Sequence, residues 1–348
     1  MGSRARLEEE VGEILAEYGK LVDAEVRRAI DARGKVGDLY DMMRYHLGWT
    51  DRAFRESTEG RGKRFRPAML LLTCEALGGD RERALPAAAA VELVHNFSLI
   101  HDDIEDGDRH RRGRETLWSV WGLAQGINTG DGMHALVNLA ALHLAHRGVD
   151  AATVVRVLRV LDGAVMELCE GQYLDLVNEE RSDVTAGDYL EVIARKTSAL
   201  VAASTECGAI LAGKDEATAG RLGRFGRTLG LAFQIRDDIL GVFHPEKLGK
   251  EGSSDIRRKK RNLPVLYALE RSPKADQLRE LYAKAALTDR HVEEVLTILR
   301  EAKAGEYCMQ EAERHEKEAF AILEGLGVKN AAYEKLLKVS RFLVWRER

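Results

Sequence analysis

The stretch HDDIEDGDRHRRGRET, residues 101–116, places Asp102, Asp103, Glu105, Asp106 and Asp108 within seven positions, and Arg109, Arg111, Arg112 and Arg114 follow. Asp102 and Asp106 are four residues apart, so on a helix they share a face, and His95 joins that face two turns earlier. Hard oxygen donors at this spacing suit Mg²⁺, which keeps several waters and takes one or two carboxylates together with phosphate oxygens. The plain alternative is a solvated acidic helix end. Acid at a helix C-terminus opposes the macrodipole, however, and that favours the metal.

A second cluster lies in FQIRDDILGVF, where Gln234, Asp237, Asp238 and Gly241 fall on one helical face. Phe233, Ile235, Ile239 and Leu240 flank it, so these carboxylates should be half buried and need a cation or base nearby. Pairing with Arg236 is the plain reading.

The matching cations come in clusters. GRGKRFRPAML sets Arg61, Lys63, Arg64 and Arg66 just before a helix opened by Pro67, and a basic, glycine-containing approach to a helix N-terminus suits an anion. The arginines of RHRRGRET carry forked donors that match phosphate oxygens. ARKTSAL offers Lys196 and Thr197 at the head of an apolar helix, and KLGKEGSSDIRRKKRNLPVL offers Lys247, Lys250 and the run Arg257 to Arg261. Singly, each cluster reads as a solvated face; together they would serve more than one diphosphate.

The elements that must position these groups are helical. ERALPAAAAVELVHNFSLIHDDIEDG runs from a proline in its first turns to Gly107, and AATVVRVLRVLDGAVMELCEGQYLDLVNEE spaces apolar residues three and four apart. SALVAASTECGAILAG is apolar nearly all round, as a helix inside a bundle is. No alternating strands or Asn-Gly and Asp-Gly hairpin turns stand out. No linker or repeat divides the chain, which predicts one all-α domain over 1–348.

The 348 residues carry a formal net charge of only −4, with no general pull toward nucleic acid. Neither a secretory leader nor an apolar run of ~18 residues is present, which points to a cytoplasmic protein without a transmembrane segment. Cys74, Cys169, Cys207 and Cys308 are scattered singly among apolar neighbours, predicting buried, reduced thiols and no zinc site.

GKRFRP, HDDIEDGDRHRRG, GQYLDL, ARKTSAL and FQIRDDILG with the following GK and SDIRRKKRNLP occur in the order found in trans-isoprenyl diphosphate synthases, which the sequence resembles densely over roughly residues 55 to 270. The resemblance implies an all-α isoprenoid synthase bundle around a deep central cavity, and a homodimer. It implies about three Mg²⁺ per active site, with Mn²⁺ as a substitute. Asp102, Asp103 and Asp106 would hold Mg²⁺ on the allylic diphosphate, and Asp237 and Asp238 a further ion. Arg111, Lys196, Thr197, Gln234, Lys250 and Lys260 fall where the family contacts the allylic diphosphate. Lys63, Arg66, His95 and Arg112 fall where it grips isopentenyl diphosphate. The implied reaction condenses isopentenyl diphosphate with dimethylallyl, geranyl or farnesyl diphosphate. One departure is Gly241, where a third aspartate often stands; the expectation is either a weakened third Mg²⁺ site or compensation by Asp255 or a water.

For product length, Phe97 and Ser98 lie one turn or so below Asp102, and a single aromatic there is similar to synthases that stop at geranylgeranyl diphosphate (C20); farnesyl diphosphate (C15) is the alternative. Against this, five residues turn Phe97 about 140° from the Asp102 face, toward packing. A class I terpene cyclase would not need the isopentenyl diphosphate residues. A noncatalytic partner subunit should have lost aspartates from the clusters.

Overall fold

The computed structural model describes residues 3–245 and 254–344, so Lys247 and Lys250 lie outside the described residues. Helices dominate: α1 (Ser3–Asp31), α2 (Leu39–His46), α3 (Phe65–Ala76), α4 (Arg81–Glu105), α5 (Leu117–Trp121), α6 (Leu123–Leu142), α7 (Ala151–Glu180) and α8 (Ala186–Ile193). They continue as α9 (Ala199–Leu211), α10 (Glu216–Phe243), α11 (Ser254–Arg257), α12 (Leu263–Arg271), α13 (Ala275–Ala283), α14 (Asp289–Glu301), α15 (Ala304–Glu324) and α16 (Ala331–Val344). The all-α expectation holds, and among the described residues no helix is long and apolar enough to cross a membrane.

The chain's contacts gather into two compact units, one of Met1–Val165, Ala203–Gly220 and Val328–Lys338, the other of Met166–Ala202, Arg221–Gly327 and Val339–Arg348. In the first, α4 packs along α6, α3 and α1. Its run of four alanines, Ala87 to Ala90, is fully buried, and such small side chains let neighbouring helices approach closely. Asp80 caps α4 by accepting from the Glu82 N–H at 2.9 Å. Arg64, directly before α3, holds φ at +53°. Its buried guanidinium explains the strain, because it binds Asp23 at 2.8 Å, Glu92 at 2.9 Å and the Leu47 carbonyl at 3.2 Å.

Within the second unit, α12 packs against α15, α13, α8 and α14. Ile193, Ile235, Ile239, Leu263, Leu266 and Cys308 share a buried cluster there. Thr185 and Asp188 form a reciprocal capping box that starts α8. A π-turn at Ala194–Ser198 then separates α8 from α9.

Two expectations need correction. A two-stranded hairpin, β1 (His110–Arg111) and β2 (Arg114–Glu115), interrupts the helices, with Arg111 opposite Arg114. Its two-residue turn uses Arg112 at φ +53° and Gly113 at φ +75°, the left-handed pair a primed turn requires, supplied by an unusual Arg-Gly. Second, Cys169 is exposed, whereas the other three cysteines are buried. Leu161, Ala164, Val165 and Leu168 occupy the inward face of α7, which leaves Cys169 turned outward.

Candidate active site

The first cluster forms at the end of α4. Asp102 is half buried and Asp106 exposed, while Asp103 is buried at 2% exposure. The hairpin folds back so that Arg111 Nε donates to Asp103 Oδ1 at 2.5 Å. Burial nevertheless pushes the Asp103 carboxyl up to about 6, with Arg111 opposing and Asp108 and Asp106 adding to the rise.

Beside it, the basic residues take different parts. Arg112 reaches the Gly60 carbonyl at 3.4 Å, which lays it over the loop that carries Lys63. Arg66 Nη1 lies 3.4 Å from His95 Nε2, and the Arg66 Nε is buried without a hydrogen-bond partner. Burial lowers Arg66 to about 10, and burial and Arg66 hold His95 well below the ordinary imidazole range. Among the described residues neither Arg66 nor Arg112 has a carboxylate partner, as an anion site requires. Arg64 and Arg114 differ: Arg64 is consumed by Asp23 and Glu92. Arg114 donates to the carbonyls of Thr50 at 2.7 Å, Glu59 at 2.9 Å and Tyr45 at 3.3 Å, and so staples a loop. Arg109 stacks over Trp118.

Phe97 is buried, its ring 4.7 Å from that of His134 and 6.0 Å from that of His101. Ser98 Oγ donates to the His95 carbonyl at 3.0 Å.

The second cluster is built on α10. Asp238 is 5% exposed, and its partners are neutral rather than basic. Tyr189 donates its phenol O–H to Oδ2 at 2.7 Å, and Gln234 Nε2 donates to Oδ1 at 3.0 Å. Thr197 Oγ1 in turn donates to Gln234 Oε1 at 3.2 Å, which orients the amide. Burial pushes Asp238 up to about 7 against these two bonds. Arg236 does not serve Asp238: its guanidinium pairs with Glu316 at 3.2 Å. Lys196 and Thr197 lie in the π-turn instead of at a helix head, and Lys196 Nζ is 2.6 Å from Asp175 Oδ2. Lys260 is exposed. At Gly241 the Asp255 carboxylate packs so closely that any side chain would collide with it.

The donors fit a hard divalent cation. Asp103 and Asp238 are buried carboxylates whose ionised forms lack full compensation, and an added positive charge would supply it. Among the described residues no three Asp, Glu, His or Cys side chains converge on one point. An ion held here would complete its shell with water and phosphate oxygens, the habit of Mg²⁺.

Sequence reasoning missed Tyr189, gave Asp175 no role and passed over His46. Nothing in their spacing marks them; Tyr189 and Asp238 are 49 positions apart and meet only through the fold.

An all-helical protein with buried carboxylates and arginines lacking carboxylate partners has the make-up of a diphosphate-handling enzyme. The sequence pattern of the polyprenyl synthetase family matches residues 48–299, and the chain belongs to that family. The geranylgeranyl diphosphate synthase of Mycobacterium tuberculosis is 39% identical over 324 residues, 90% of this chain and 91% of that protein. A (2E,6E)-farnesyl diphosphate synthase of Mycobacterium bovis is 36% identical over 312 residues, covering 88% and 86%. The crystal structure of a polyprenyl synthetase from Streptomyces coelicolor A3(2) superimposes with a TM-score of 0.89 at 35% identity, covering 96% of this chain and 99% of that one.

Proposed function

We propose that this chain is a trans-prenyltransferase that condenses isopentenyl diphosphate with an allylic diphosphate, giving geranylgeranyl diphosphate as the main product. Farnesyl diphosphate is the second reading, since relatives carry both names. The observation that carries the reading is the grouping of Arg66, His95 and Arg112 without carboxylates, next to the carboxylates of α4. A single-substrate cyclase has no use for that second anion grip.

In this reading Asp102, Asp103 and Asp106 hold Mg²⁺ at the allylic diphosphate, and Asp237 and Asp238 hold a further ion, with Asp255 in place of the third aspartate missing at Gly241. A divalent metal bound there would offset the negative charge that builds on the departing diphosphate. Arg111, Lys196, Thr197, Gln234, Lys250 and Lys260 orient and stabilise that leaving group. Lys63, Arg66, His95 and Arg112 fix isopentenyl diphosphate with its double bond toward the allylic carbon. The allylic C–O bond breaks with its electron pair leaving on diphosphate, the double bond attacks, and a proton passes to the released diphosphate. Apolar walls exclude the water that would quench the cation. Phe97 sets the floor.

The chain acts as one domain over 1–348, because the segments of the two units interleave along the sequence. It works as a homodimer in the cytoplasm. Exposed apolar residues support the dimer: Leu123, Ile127, Leu139 and Leu142 on α6, and Val155, Met166 and Tyr173 along α7.

The test is product analysis. Purified protein, Mg²⁺ and labelled isopentenyl diphosphate are supplied with C5, C10 or C15 primers, and the alcohols are resolved after dephosphorylation. A C20 alcohol is expected. No incorporation from folded protein overturns the reading.

A further inference from the structure

His46 ends α2, a helix to which the sequence assigned no chemistry. Its imidazole lines a cleft of about 30 Å³ together with Asp103, Arg111, Arg112 and Arg114, room for one water or one phosphate oxygen. Among the described residues the ring has no hydrogen-bond partner, although it is enclosed by polar groups. Burial and the charges of Arg112, Arg111, Arg64 and Arg114 hold the ring neutral, down to about 3. His95 lies within its electrostatic reach. A neutral imidazole offers one N–H donor without adding charge to a site already rich in guanidinium.

The carboxylates nearby do not compete for that donor. Glu92 is taken by Arg64 and Asn96, Asp103 by Arg111, and Glu115 faces Arg52. We propose that His46 is a further diphosphate-binding residue, donating a ring N–H to an isopentenyl diphosphate oxygen beside Arg112. The inference rests on the prenyl-transfer reading. It extends the grip from the segment around the start of α3, the hairpin and His95 on α4 to the end of α2, so that four separate segments close on one anion.

The experiment compares His46→Ala and His46→Asn with the wild type, using full-length protein. Each is assayed for KM and kcat with isopentenyl diphosphate and with the allylic primer, and melted to establish folding. For His46→Ala the KM for isopentenyl diphosphate should rise about tenfold, equivalent to about 1.4 kcal/mol, with the allylic KM unmoved. His46→Asn keeps a donor and should recover most of the loss. An unchanged KM for isopentenyl diphosphate, an equal rise in both KM values, or no recovery by Asn in a protein of wild-type stability each overturns the assignment. Should the wild type itself fail to condense any primer, the prenyl-transfer reading fails instead.

Discussion

Arg111 Nε stands 2.5 Å from Asp103 Oδ1, joining the two-stranded hairpin to the end of α4. A carboxylate that burial pushes up toward about 6 is thereby kept available as an anion at neutral pH. Removing the guanidinium withdraws that support. Arg111→Gln should lower kcat by about 100-fold, the scale of losing one donor to a developing anion, and should raise the Mg²⁺ concentration needed for half-maximal rate. A magnesium titration of the rate checks both; an unshifted midpoint would separate Arg111 from the metal role proposed for the α4 carboxylates.

Asp238 gives a pH-dependent prediction. Its folded value of about 7 lies above the unfolded carboxyl, so the folded state binds more protons between about 4 and 7 and loses stability as pH rises through that window. Asp238→Asn lacks this titration. Without metal, its melting temperature should gain on the wild type between pH 5 and pH 8 by roughly 2–4 °C or more. Activity should be lost in the same variant. Melting curves in metal-free buffer at the two pH values decide it.

The hairpin turn supplies a third. Gly113 sits at φ +75°, where a β-branched side chain costs about 1–2 kcal/mol. Gly113→Val should displace Arg111 and Arg112 together, lowering kcat and raising the KM for isopentenyl diphosphate, while the helical circular dichroism stays unchanged. Loss of helix signal would show that the hairpin supports the fold itself.

How much of this was legible beforehand follows from the range of each interaction. The all-α fold comes from spacing within single helices and holds, and the two aspartate clusters lie, as their spacing implied, at the end of α4 and on α10. The hairpin was missed because Arg112 occupies a left-handed position normally given to Asn, Asp or Gly. Arg114 was grouped with the phosphate-matching arginines because nothing local shows that its donors close on Thr50 and Glu59. The neutral partners of Asp238 come from α8 and from along α10, and composition gave no sign that a phenol rather than a base would stand there.

Product length is tested at Phe97. The ring is buried against His134 and His101, and Phe97→Ala opens space at that point. Longer prenyl alcohols should appear in product analysis. An unchanged distribution would locate the chain-length stop on another residue.

The apolar rows on α6 and α7 make the last prediction. Ile127→Glu with Leu139→Glu should halve the mass measured by light scattering, because both side chains are exposed in the single chain, at 44% and 41%. A mass unaltered from the wild type would remove this face as the dimer contact.

Arg64 is buried at 5% exposure, and Lys63 and Arg66 sit on either side of it. By fastening the turn to Asp23 on α1, Glu92 on α4 and the Leu47 carbonyl, it freezes the backbone that carries those two cations before any ligand arrives. The conformational entropy of that turn is lost when the protein folds, not when substrate binds, so ligand affinity is correspondingly less eroded. A residue whose bonds all turn inward thus acts as a built-in rigidifier, and in the proposed reading softening it would appear first as slower capture and faster escape of the diphosphate.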